Sequence, residues 1–206
     1  MRSGSVPLLL LSLLFPSLGF AQSPLKLSSF NLELRGEVAV PTSQMDEQLG
    51  LKTGFGIGVA AKYSVARPLA IYAGWDRFRF NGATSDFATR VIDGGFRLGI
   101  QAGSPRSERR AQPFATAGAV FNRASLELRD SLATRNLRGD RAWGYEVGGG
   151  LSVPVLQGVW LVPETRYRAH ANSWGIGSAP DLDTDVSYLA LNLGVVIRIP
   201  RSARNP

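Results

Sequence analysis

GFGIGVAAKYSV, residues 54–65, sets Phe55, Ile57, Val59, Ala61, Tyr63 and Val65 on one side of an extended chain and Gly54, Gly56, Gly58, Ala60, Lys62 and Ser64 on the other. A period of two held over a dozen residues is a strand with one apolar face, because successive side chains of an extended chain point to opposite sides. The pattern returns at 143–153, where Trp143, Tyr145, Val147, Leu151 and Val153 alternate with Gly144, Glu146, Gly148, Gly150 and Ser152. It returns again at 188–199, with Leu189, Leu191, Leu193, Val195, Ile197 and Ile199 set against Tyr188, Ala190, Asn192, Gly194, Val196 and Arg198. Fainter versions occupy 31–40 and 91–101, and three more candidates lie at 69–80, 113–126 and 160–170, the facing of 113–126 being ambiguous. The expectation is an all-β chain of eight antiparallel strands.

Which face points outward follows from what each face carries. One side offers Leu, Ile, Val, Phe, Tyr and Trp; the other offers glycine, alanine, serine and charges of both signs. With the apolar side inside, the surface would be rich in glycine and poor in charge, unlike that of a soluble barrel. With the apolar side outside, Glu33, Arg35, Glu37, Lys62, Asp76, Arg97, Glu146, Glu164, Arg166, Arg168 and Arg198 converge on a lumen that eight strands make just wide enough for side chains to fill. Buried charges are tolerable there only if paired, so these residues are expected to form an internal hydrogen-bonded plug, with glycines leaving room for the long side chains. An ion pathway through the same residues is the alternative. Phe55 and Tyr63, at opposite ends of one outward face, fit the two aromatic girdles of a membrane barrel, and Trp143, Tyr145, Trp160 and Tyr167 are further candidates.

The remaining sequence agrees with export to a membrane. Met1-Arg2, an apolar stretch over 6–15 and Gly19-Phe20-Ala21 follow the order of a secretory signal, so residues 1–21 are expected to be removed, leaving one domain over 22–206. The formal charge falls from +7 to about +6 when Arg2 is lost. There is no cysteine, which excludes disulfides, thiolate metal sites and a lipidated cysteine. No later apolar run reaches the roughly 20 residues of a membrane helix. The arginines are scattered instead of forming a basic helix, so nucleic-acid binding is not expected. The connections 41–52, 81–89, 127–141 and 171–185 read as long polar loops, whereas 66–68 and 154–159 are tight, the alternation of long extracellular and short periplasmic connections. The connection 102–112 breaks the alternation.

In GFGIGVAAKYSVARPLAIYAGWDRFRF (54–80), WGYEVGGGLSVPV (143–155), PETRYR (163–168) and YLALNLGVVIRI (188–199), the chain resembles the OmpA/OmpX-like outer-membrane β-barrels, also described as porin-family barrel domains. The resemblance spans essentially the whole mature chain. It implies an up-and-down barrel exported through the periplasm into a bacterial outer membrane, surrounded by lipid that includes lipopolysaccharide, with an extracellular ligand for the long loops. Family members usually end their last strand on an aromatic residue, whereas Ile199 is followed here by PRSARNP, and the peptidoglycan-binding domain of longer relatives is not expected.

Candidate sites are few, and neither a cofactor nor a metal is expected. His170, Ser173 and an acid such as Asp181 or Asp185 resemble the layout of outer-membrane lipid A deacylases. There a serine stands two residues after the histidine, but Asn172 holds that place here and alternation puts Ser173 on the opposite face. Catalysis is therefore not expected, and His170 reads as a solvated rim residue. Gly148-Gly149-Gly150 precedes no helix and is not a phosphate cradle. Asp181, Asp183 and Asp185 lack the glycine and the closing glutamate of a calcium loop. Arg123, Arg129, Arg135, Arg138 and Arg141 form the most suggestive loop, one able to meet lipopolysaccharide phosphates through guanidinium pairing. The expected role is a structural or surface-interaction barrel with a polar, largely closed lumen; a narrow porin-like conduit for ions or small solutes and a lipid A-modifying enzyme are the alternatives.

Overall fold

The computed structural model describes residues 30–42, 50–66, 68–83, 88–103, 110–129, 134–176 and 179–199, so the expected signal peptide lies outside the described residues. Eight strands run in chain order: β1 (Phe30–Pro41), β2 (Gly54–Ser64), β3 (Leu69–Ala83), β4 (Ala88–Ala102), β5 (Gln112–Arg129), β6 (Thr134–Leu156), β7 (Val159–Ile176) and β8 (Ala179–Ile199). Each pairs antiparallel with its neighbours, and β8 returns to β1 with Phe30 opposite Ile199, closing the barrel. Closure removes every free sheet edge through the wall, the condition for strands to cross a bilayer.

Register fixes the shape. From Trp75 the paired residues lead through β4 and β5 to Trp143 on β6, but through β2, β1, β8 and β7 they lead to Val153, ten residues further along the same strand. A stagger of that size in an eight-stranded barrel tilts the strands by about 40°. Each hydrogen-bonded row therefore climbs as it passes from β3 towards β6. Along β8 the outward apolar run from Leu189 to Ile199 spans about 33 Å of strand, or about 25 Å along the axis, the height of a membrane barrel's apolar band.

The alternation read from the sequence is realised in three dimensions. Leu32, Phe55, Ile57, Phe96, Leu98, Leu191, Leu193 and Ile197 stand exposed, while Asn31, Glu33, Arg35 and Glu37 on β1 are buried between outward neighbours. The ambiguous strand is settled too: β5 turns Phe114, Thr116, Val120, Asn122 and Ala124 inward and Ala115, Ala117 and Ala119 outward. Two glycines have a visible spatial reason. A Cβ on Gly58 would sit 2.6 Å from Glu37 Oε1, and one on Gly99 would sit 2.5 Å from the Tyr72 hydroxyl. Gly158, in the tight turn from β6 to β7, takes φ of 77°, which favours a residue without a Cβ.

The long loops are where expectation and structure part. Most of 127–141 and 171–185 is strand, since β5 runs to Arg129, β6 starts at Thr134, β7 runs to Ile176 and β8 starts at Ala179. The arginines expected in a loop, Arg129, Arg135, Arg138 and Arg141, are thus strand residues. The physical reason lies on the inner face: a register shift between Arg123 and Ser125 keeps Leu126 opposite Leu137, and both, with Leu128, pack on an apolar cluster at this end. Past the apolar band the pattern inverts on β5 and β6, with Leu126, Leu128 and Leu137 turned inward and Ser125, Glu127 and Arg138 outward, so the hydrogen-bonded ladder continues without an outward apolar stripe to mark it. Leu51, from the first connection, is buried in that cluster and bridges to Gly82.

Candidate functional site: a three-layered lumen and a basic outer wall

The lumen is filled in three layers. At the end holding Phe30, Ile199 and the two tight turns, Phe114, Trp160, Val162 and Val196 pack together. Trp160, a girdle candidate by sequence, is thereby placed inside, because β7 turns even-numbered residues inward. Arg198 also sits at this end, its guanidinium 4.7 Å from the Trp160 ring, and not in the central network with the other expected charges.

Above it lies a plug of charge. Arg35, Lys62, Arg97, Arg166 and Arg168 face Glu33, Glu37, Asp76, Glu146 and Glu164, all buried, so five cations meet five carboxylates. Arg168 is the hub: it donates to Asp76 at 2.6 and 2.7 Å, to Glu146 at 2.8 Å and to the Tyr188 hydroxyl at 3.1 Å. Glu146 also accepts from Tyr72 at 2.8 Å and Arg97 at 3.3 Å. Arg166 reaches Glu164 at 2.5 Å, Lys62 reaches Glu33 at 2.6 Å and Gln101 at 2.9 Å, and Arg35 lies 3.5–3.7 Å from Glu33, Glu37 and Glu164. Matched charge makes burial of these ions tolerable, reinforced by short directional contacts at Arg168, Arg166 and Lys62, whereas Arg35 and Glu37 are held by charge at longer range.

His170 requires a correction. It is not a solvated rim residue: it is buried with Nε2 3.2 Å from Asp93 Oδ1. Asp93 also accepts from Tyr188 at 2.9 Å and Asn122 at 2.9 Å, so the histidine belongs to a relay that ends on Arg168. Ser173 follows on the other face of β7, and Asp185, opposite Ala171, is exposed. No His-Ser-acid constellation is assembled from these residues. Asp93, Tyr72, Tyr188 and Gln101 are network members that sequence reasoning missed. Their inward parity was readable, but single polar residues on fainter strands gave no sign of mutual contact.

The third layer closes the upper end. Phe78, Phe80 and Tyr188 meet with ring centroids 4.9–6.1 Å apart, packed with Val91, Leu126, Val186 and Leu51.

The outer wall carries a second feature that register alone reveals. Trp75, Phe96, Phe121 and Trp143 are consecutive cross-strand partners on β3 to β6, with the Phe121 and Trp143 centroids 4.8 Å apart. Two residues further up each strand stand Arg77, Gly94, Arg123 and Arg141, and two further again Arg79, Ile92, Ser125 and, past the bulge, Arg138. Arg141 lies 5.9 Å over the Phe121 ring. Arg135 instead pairs with inward Leu128 and stands at the mouth.

A closed barrel with an apolar outer band, a charged interior and aromatics at the upper edge is the architecture of outer-membrane proteins, and a family model for the outer membrane protein beta-barrel domain matches residues 8–198. The chain belongs to this family. It is a bacterial outer-membrane β-barrel, which makes the end with the tight turns periplasmic and the opposite end extracellular. No curated protein matches it. Among solved structures it is similar to Neisserial surface protein A, at TM-score 0.60 and 19% identity, covering 84% of this chain and 100% of that one. It is also similar to OprG of Pseudomonas aeruginosa, at TM-score 0.54 and 12% identity over 84% and 97% of the two chains. A third is the attachment invasion locus protein Ail of Yersinia pestis, solved with the heparin analogue sucrose octasulfate, at TM-score 0.50 and 11% identity over 84% and 97%. At these identities the likeness is one of fold.

Proposed function

We propose that this outer-membrane barrel is a closed structural and surface-interaction protein and not a conduit. The observation that carries the reading is the filled lumen: a plug of buried, mutually paired charges lies between an apolar layer at Trp160 and another at Phe78, Phe80 and Tyr188. An ion entering from either side would have to displace packed rings before meeting carboxylates that already hold arginine partners. Opening the plug would cost several kcal/mol for each buried pair broken.

The surface-interaction half of the reading is supported by β5 to β8, whose paired strands continue above the aromatic row and lift polar residues clear of the apolar band. That a barrel of this fold was solved with a sulfated glycan analogue supports an extracellular ligand for these hairpins. An enzymatic role has no support from His170, whose ring is committed to Asp93 while Ser173 faces the other way.

The test is single-channel recording of the refolded mature protein in planar bilayers. Silence is expected from the parent. A Phe80→Ala/Trp160→Ala variant, which thins both apolar layers, is expected to remain silent because the central plug persists. Reproducible conductance by the parent would replace this reading with the porin-like one.

A further inference from the structure

The geometry points to a binding site for a phosphorylated, acylated glycolipid of the outer leaflet on the outer wall of β3 to β6, where outward arginines stand directly above the aromatic row. The inference rests on the outer-membrane placement and the strand register, and it is independent of whether the lumen conducts. It moves the expected lipopolysaccharide contact from a loop to the wall and changes the residues that make it.

Three observations converge. Arg77, Arg79, Arg90, Arg123, Arg138 and Arg141 all project outward on four adjacent strands. Among the described residues the carboxylates on the same face are Glu127, which pairs with Arg90 at 3.0 Å, and Asp140. A surplus of guanidinium of this size, fixed on a rigid sheet, attracts a partner carrying more than one phosphate, because planar forks pair two-to-one with phosphate oxygens. The height is also informative. The first arginines follow the aromatic row by two residues, about 7 Å of strand, which sets them at the level of lipid headgroups and not at the hairpin tips that a soluble polyanion would meet first. At a comparable distance above the apolar run on the far side, β8 offers Ser187 and Asp185, so among the described residues the outward arginines at this level are gathered on β3 to β6.

The third observation lies below. A shallow apolar groove of about 1060 Å3 climbs round the wall from Ile197 and Leu32 over Ala61 and Ala73 to Phe121 and Trp143, ending beneath Arg123 and Arg141. Ala119, in its lining, and Ala117 beside it leave the outward face of β5 low between Leu98 and Ile100 on β4 and Tyr145 and Val147 on β6. A groove for acyl chains that leads to a bank of guanidiniums matches a lipid whose headgroup is a phosphorylated sugar. Phospholipid with a single phosphate would use only part of the bank.

Native mass spectrometry of the refolded mature barrel, released from micelles doped with bis-phosphorylated lipid A, tests this. A one-to-one adduct is expected with the parent. It is expected to weaken at least about tenfold in Arg123→Gln/Arg141→Gln, whose folded band on unheated gels should match the parent's, and to persist in Arg110→Gln/Arg135→Gln, which changes the charge equally elsewhere. Dephosphorylated lipid A, which needs no variant, is expected to give no adduct, and phosphatidylglycerol a weaker one. Equal binding of phosphatidylglycerol, retention of lipid A by the Arg123/Arg141 variant, or a parent that binds heparin through these arginines while ignoring lipid A would each overturn the proposal.

Discussion

Arg168→Met removes the cation at the centre of the plug while keeping most of its length. Asp76 then loses both of its short contacts, at 2.6 and 2.7 Å, and keeps Arg97 at 3.4 Å. Glu146 loses one contact at 2.8 Å but keeps Tyr72, Arg97 and Arg166. The cost therefore falls mainly on Asp76, a carboxylate with no exposed surface. Breaking a buried pair by removing one partner typically costs 3–5 kcal/mol, and because Arg97 compensates in part, about 3 kcal/mol is expected. Most of that is the penalty of a stranded charge and not the worth of the pair. Arg168→Met/Asp76→Asn should therefore recover about half of the loss, leaving a coupling energy of at least about 1 kcal/mol. The assay is reversible urea unfolding in phosphatidylcholine vesicles, followed by tryptophan emission and by the shift of the folded band on unheated gels. A single variant within about 1 kcal/mol of the parent, or a double variant whose losses simply add, would refute the account of the plug as a charge-matched unit.

Other expectations follow from the same geometry. Leu193→Arg, midway along the outward run of β8, should cost about 2–4 kcal/mol in the vesicle assay, and a neutral outcome would remove it from lipid. Asn192→Asp reads from sequence as a mild change, with Arg166 and Arg198 ready to accept a carboxylate, but Asn192 lies opposite Glu37 on β1 and Glu164 on β7, so a third carboxylate there should destabilise by at least about 1 kcal/mol. Single cysteines at 189–198 carrying a fluorophore should be reached by a bilayer-resident quencher at odd positions and missed at even ones; quenching without alternation would reverse the facing of the wall. Lipid A from cells expressing the parent or His170→Ala should show the same acyl chains by mass spectrometry, removal of a chain by the parent alone overturning this, yet His170→Ala should lower stability by about 1–3 kcal/mol because Asp93 stays buried with one partner fewer. Unchanged stability would show that the His170 contact contributes nothing.

The strands, their number and the side most residues take were legible in the amino acids alone, because a period of two is a local property of an extended chain; the facing of 113–126, where the alternation is weak, was not. Phe55 to Tyr63 and Leu189 to Ile199 announce an apolar wall without reference to any partner, and Glu33, Arg35 and Glu37 announce an interior. Partnership is a different kind of fact. That Arg168 meets Asp76, 92 residues away, or that His170 meets Asp93, depends on the stagger at which eight strands close, and nothing near either residue encodes it. Trp160, read as a girdle residue, shares the inward parity of Glu164, Arg166 and Arg168, so its side was legible and only its place as a floor of the lumen was not, whereas the arginines of 123–141 read as one loop but divide between the mouth and a wall shared with Arg77 and Arg79. Tertiary structure alone decided these points: alternation fixes which face a side chain takes, while register and shear, set by contacts spread over the whole barrel, fix what it finds there.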